Sequence, residues 1–166
     1  LAQNEYNKAL DYFKSSKAIF EEQGLDELAV QARLSEAEVN IKLNNFDEAN
    51  TLLDKVIILS KKNKFDTFHG SALNKSGYIA FQEKKLDKAI SQTTKGLEIS
   101  ENLKNLELLR ESNQILSQVY EATGNSDLTV KTLKNYIKLN DSILKIQREN
   151  LSPEKRSQLI IADMDA

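Results

Sequence analysis

Few side chains in this sequence are equipped for chemistry, and none sits in a pattern that demands it. His69 is the sole histidine. Asp66 lies three residues before it, a spacing that puts a carboxylate beside an imidazole on one helix face and permits an acid–base pair. A zinc site would need carboxylates for all its remaining ligands, an uncommon donor set. The expectation for His69 is therefore a polar residue near a helix end. Glu21-Glu22 and Asp47-Glu48 place carboxylates side by side, but general acid–base work needs a desolvated pocket to raise one pKa, and a solvated helix face is the simpler reading. HExxH, a glycine-rich phosphate loop and GxSxG are all absent. Lys61-Lys62-Asn63-Lys64 and Glu83-Lys84-Lys85 are short basic turns, whereas nucleic-acid binding wants a wide positive stripe with exposed aromatics. Cysteine is absent, which removes disulfides and thiolate metal sites. These residues predict no enzyme, no metal, no cofactor and no nucleic-acid partner.

The elements that carry these residues are helical on composition alone. Of 166 residues, 40% are hydrophobic and 29% charged, with 23 basic against 25 acidic side chains. That is enough apolar surface for a core, and the net charge of −2 gives no basic field. Five glycines and one proline are too few for the turns of a β-rich fold. The longest dense apolar stretch, 56–59, is flanked by charge and far short of the ~20 residues that span a bilayer, so no membrane contact is expected of this segment. The chain opens on Leu1, as expected of a fragment or a processed chain.

Internal periodicity organises the rest. Ala9, Ala49, Ala89 and Thr129 stand forty residues apart. Phe13, Leu53, Thr93 and Leu133 follow in step, as do Tyr6, Phe46, Leu86 and Ser126, and a small-residue series at Ala37, Gly77, Ser117 and Ser157. Each unit holds two amphipathic patterns. Val30, Leu34, Ala37 and Ile41 form one; Phe46, Ala49, Leu53, Val56 and Ile57 form the next. Breaks fall at Asn44-Asn45, Lys84-Lys85 and Gly124-Asn125, with Asn45 and Glu48 as an expected capping box and Asn125 as an equivalent cap. Gly24 suits a left-handed helix stop, and Asn63-Lys64 and Lys104-Asn105 hold the same place later. Short breaks imply antiparallel helix pairs. Small residues at the crossing let helix axes approach to the tight end of roughly 8–10 Å, so Gly77→Leu is expected to overpack it. Phe13, Phe46, Phe81 and Tyr120 read as core.

The pattern resembles the tetratricopeptide repeat. The residues that carry the resemblance are Ser76-Gly77-Tyr78-Ile79-Ala80-Phe81, Leu86-Asp87-Lys88-Ala89-Ile90 and Gly96-Leu97, then Leu116-Ser117, Tyr120, Gly124-Asn125 and Leu133. The family period is usually 34. The 40 found here adds about 9 Å of helix at 1.5 Å per residue. The resemblance implies an all-α, right-handed superhelical solenoid of antiparallel helix pairs. One array is expected over 1–166: a second-type helix at about 3–22 without its own partner, complete pairs at 25–62, 65–102 and 105–148, and a closing helix over 153–163 that starts at Ser152-Pro153 and includes Ile160 and Ile161. Tyr136 with Asn140-Asp141-Ser142-Ile143 resembles the last helix of tetratricopeptide regions in Bacteroidetes-type sensor and regulatory proteins.

In such an array the first helix of each pair lines the concave face. Carrying the family register over, the lining is Gln31, Ser35, Glu38 and Lys42, then Asn74, Lys75, Tyr78 and Gln82, then Glu111, Gln114, Gln118 and Glu121. Asn74, Lys75 and Tyr78 are expected to be exposed there. Amide, lysine and tyrosine side chains hydrogen-bond extended peptides. Glu38, Glu111 and Glu121 oppose a carboxylate clamp, which is not expected. The reading is a non-enzymatic protein- or peptide-binding scaffold, the alternative being a ligand- or peptide-sensing region of a bacterial histidine kinase or transcriptional regulator. Cytoplasmic placement is favoured, with the periplasm as the alternative for a membrane sensor. Apolar surface at unfinished ends of the array would also permit self-association.

Overall fold

The structure is a computed structural model that describes residues 2–152 and 155. It contains seven helices: α1 (Ala2–Glu22), α2 (Asp26–Lys42), α3 (Phe46–Asn63), α4 (Asp66–Gln82), α5 (Leu86–Leu103), α6 (Leu106–Ala122) and α7 (Ser126–Glu149). No strand occurs among the described residues. Each helix packs on the next, and α2 also meets α4, and α4 meets α6, so the first-type helices stand side by side. The result is an all-α helical-repeat architecture. The expected closing helix at 153–163, with Ser157, Ile160 and Ile161, lies outside the described residues.

The repeat is visible in burial. Ala49 and Ala89 are fully buried, as are Ala37 and Gly77 at the crossings, and positions 41–50 match 81–90 one for one in exposure. One core cluster joins α2, α3 and α4 through Val30, Leu34, Ala37, Leu53, Val56 and Ile79. A second joins α4, α5 and α6 through Ala80, Ala89, Ile115 and Val119, with Phe81 packed against it. Among the described residues one charged side chain is fully buried: Glu36 takes the Lys17 ammonium at 2.7 Å and joins α2 to α1. Such a carboxylate is tolerable in the interior because it keeps its partner.

Six corners separate the helices, and each holds one left-handed residue at twenty-residue intervals: Gly24, Asn44, Lys64, Lys84, Lys104 and Gly124. At every corner the following N–H reaches back five residues to a carbonyl, as from Leu25 to Phe20, Asn45 to Asn40 and Phe65 to Ser60. This is the Schellman closure of a helix end. Gly24 takes the conformation expected of it. At the later stops it is Lys64 and Lys104 that adopt positive φ, not the neighbouring asparagines.

One further expectation needs correction. Asn45 occupies the N-cap position of α3 but accepts no backbone N–H. Its Nδ2 instead donates to Oδ1 of Asn40 at 3.2 Å, which ties the corner to the end of α2. Asn125 does cap α7 through the Leu128 N–H at 3.1 Å, and Asn105 caps α6 in the same way. The last pair runs to Glu149, within one residue of the expected end at 148.

The ends expose apolar side chains. Tyr12 and Ile19 project from α1, and Val130, Leu133, Ile137, Leu144 and Ile146 project from α7. Among the described residues no helix is long and apolar enough to cross a membrane.

Candidate functional site

The forty-residue period stacks equivalent positions of α2, α4 and α6. Glu38, Tyr78 and Gln118 share one position and face a common groove. The groove has a volume of about 380 Å³ and is lined by Glu38, Ile41, Lys42, Lys75, Tyr78, Glu111, Gln114, Ile115 and Gln118. Seven of these belong to the expected lining; Ile41 and Ile115 do not. Ile41 was read as core from its helical spacing, and it serves both the core cluster and the groove. Gln31, Gln82 and Glu121 are exposed on the same helices but outside this groove, and Ser35 is half-buried.

Lys75 is the centre of the site. Its Nζ lies 3.1 Å from Oε1 of Glu38 and 3.2 Å from Oε1 of Glu111, so one ammonium joins all three first-type helices. Burial disfavours that charge, but the carboxylates of Glu111 and Glu38 outweigh it, and the pKa of Lys75 rises above its ordinary value. The lysine side chain is 16% exposed, against 44% for Glu38 and 32% for Glu111. The carboxylates therefore face solvent more than the cation they hold.

Asn74 is not a groove residue. It is fully buried, which corrects the expectation of exposure. Its Nδ2 donates to the Leu108 carbonyl and to Oε2 of Glu111, both at 3.3 Å, while its Oδ1 accepts from Ser112 Oγ at 2.9 Å. It can turn inward because α5 has Gly96 opposite: a Cβ there would lie 2.3 Å from the Asn74 oxygen. Asn74 thus positions Glu111, which in turn holds Lys75. The signal for this was present in Gly96, where the preceding unit has Val56.

His69 is half-buried on α4. Burial first, and the Lys61 charge second, lower its pKa, with Asp66 opposing. Among the described residues no three His, Cys, Asp or Glu side chains come together in a metal-holding group. In the Tyr136 and 140–143 motif, Ile143 is buried and Asn140 accepts from Arg110 Nη1 at 3.4 Å, tying α7 to α6.

No family model and no curated protein matches the chain. Among solved structures it is similar to the crystal structure of BtubC (BKLC) from P. vanneervenii, with a TM-score of 0.71 at 17% identity. The match covers 90% of this chain and 60% of that one. At this identity the likeness establishes the helical fold alone.

Proposed function

We propose that the chain is a tetratricopeptide-like array, its helix pairs coiling into a right-handed superhelix, and that it acts without catalysis as a scaffold that binds an extended segment of another protein in its concave groove. The observation that carries this reading is the groove that α2, α4 and α6 line together, with Tyr78, Gln114 and Gln118 beside Ile41 and Ile115. Amides and a phenol satisfy a peptide backbone or its polar side chains, and the isoleucines and the tyrosine ring receive an apolar side chain.

Panning a library of random twelve-residue peptides over the immobilised chain tests this. The reading expects enrichment of related peptides on the native chain and its loss on a Gln114→Ala/Gln118→Ala variant. Both glutamines are exposed, so that variant should keep its helical circular dichroism and its melting temperature. Equal recovery on the two proteins would overturn the reading.

A further inference from the structure

At the middle of the groove two carboxylates share one ammonium. Glu38 and Glu111 both bind Lys75 through Oε1. Oε2 of Glu111 is taken by Asn74. For Glu38, no partner besides Lys75 is found among the described residues, which leaves its second oxygen open to a ligand. The only other charged lining residue is Lys42. It lies one helical turn from Glu38, on the exposed rim, with no ion pair to it among the described residues. The lining is thus neutral in sum but divided: a net negative centre whose positive charge lies beneath its carboxylates, and a positive rim. An anionic side chain entering at the centre meets Glu38 before it meets Lys75, and it would have to break an existing ion pair to reach the cation. A cationic side chain meets an acceptor oxygen that is still unused. Beside it lie Ile41, Tyr78 and Ile115, which give an apolar neighbour a place to leave water.

We infer that the groove selects extended peptides in which a lysine or arginine adjoins an apolar side chain, the cation pairing with Glu38 and the apolar group seating among Ile41, Tyr78 and Ile115. This inference rests on the groove being a peptide-binding surface, and it adds the chemistry of the peptide. Opposite charges that meet at a partly exposed site discriminate mainly against the wrong sign, through desolvation and repulsion.

The test is the residue composition of peptides enriched from the random twelve-residue library, followed by affinity measurement on synthetic copies. The expected enriched sequences carry Lys or Arg next to Leu, Ile, Val or Met. Replacing that cation by Gln should weaken binding by roughly two- to fivefold, as for a partly exposed ion pair, and the difference should shrink as salt is raised. In Glu38→Gln the enrichment of cations should vanish while binding of apolar sequences persists, since Lys75 keeps Glu111. Enrichment of acidic peptides, or of peptides with no preference of charge, would overturn this inference and leave the groove reading standing. Absence of any enrichment would overturn both.

Discussion

Five buried positions of the α2/α3 pair recur forty residues later in α4/α5, and at each the residue type changes. Val30 becomes Gly70, Leu34 becomes Asn74, Ala37 becomes Gly77, Leu53 becomes Thr93 and Val56 becomes Gly96. The first pair is filled by aliphatic volume. In the second, side chains are removed until the helices touch: a Cβ on Gly77 would lie 2.1 Å from Thr93 Oγ1. α4 and α5 accordingly share the most extensive contact of any helix pair. Asn74 replaces lost apolar packing with hydrogen bonds to α6. The comparison teaches that one backbone repeat accepts two chemistries of contact, and that the polar one is placed beneath the groove. α4 carries Lys75 and Tyr78, so of these two pairs the one with less side-chain volume at these positions is also the one that fixes the centre of the site.

Opposite substitutions should therefore harm the two pairs. Leu53→Ala should produce the largest loss, about 2–5 kcal/mol by urea denaturation, through lost burial and a residual cavity. Next, Gly77→Ala should cost about 1–3 kcal/mol by overpacking, and Thr93→Ala should restore part of that loss in the double variant, since it removes the atom that the new methyl strikes. If Gly77→Ala proved neutral, the close approach of α4 and α5 would not be the source of their contact. Asn74→Ala should cost roughly 1–2 kcal/mol, the scale of a buried hydrogen-bonded group lost with its partners, and should also weaken peptide binding by freeing Glu111.

Two smaller effects sharpen the comparison. Lys75 has a raised pKa in the folded state. Its contribution to stability is therefore complete below its ordinary value of 10.5 and is lost as pH rises through the higher folded value. Melting temperature followed from about pH 9 to 12 should fall more steeply for the native chain than for Lys75→Met, which lacks that titration. The smallest effect belongs to Thr93→Val. Thr93 Oγ1 is buried without a hydrogen-bond partner among the described residues, so the isosteric valine should be neutral or stabilising by up to about 1 kcal/mol. A clear loss would mean that the hydroxyl has a role in the crossing.

Much of the fold was legible because the forty-residue period repeats both apolar spacing and helix breaks. Ala49, Ala89, Leu53 and Val119 occupy the buried places that their spacing required. What escaped the sequence depended on the neighbouring helix. Asn74 has the helical position of a groove residue, and the absence of a side chain at Gly96 on α5 lets it turn inward. Lysines at 64, 84 and 104 take left-handed backbone that residue type alone assigns to glycine or asparagine, because corner geometry imposes it.

The central claim is that the face shared by α2, α4 and α6 receives a peptide. Amide chemical-shift mapping during titration with a library-selected peptide tests it most directly. The account predicts that the largest shifts cluster at Glu38, Lys75, Tyr78 and Gln118, with α3 and α5 little changed on their outer sides. Shifts centred on α1, on α7 or on the outer faces of α3 and α5 would contradict it.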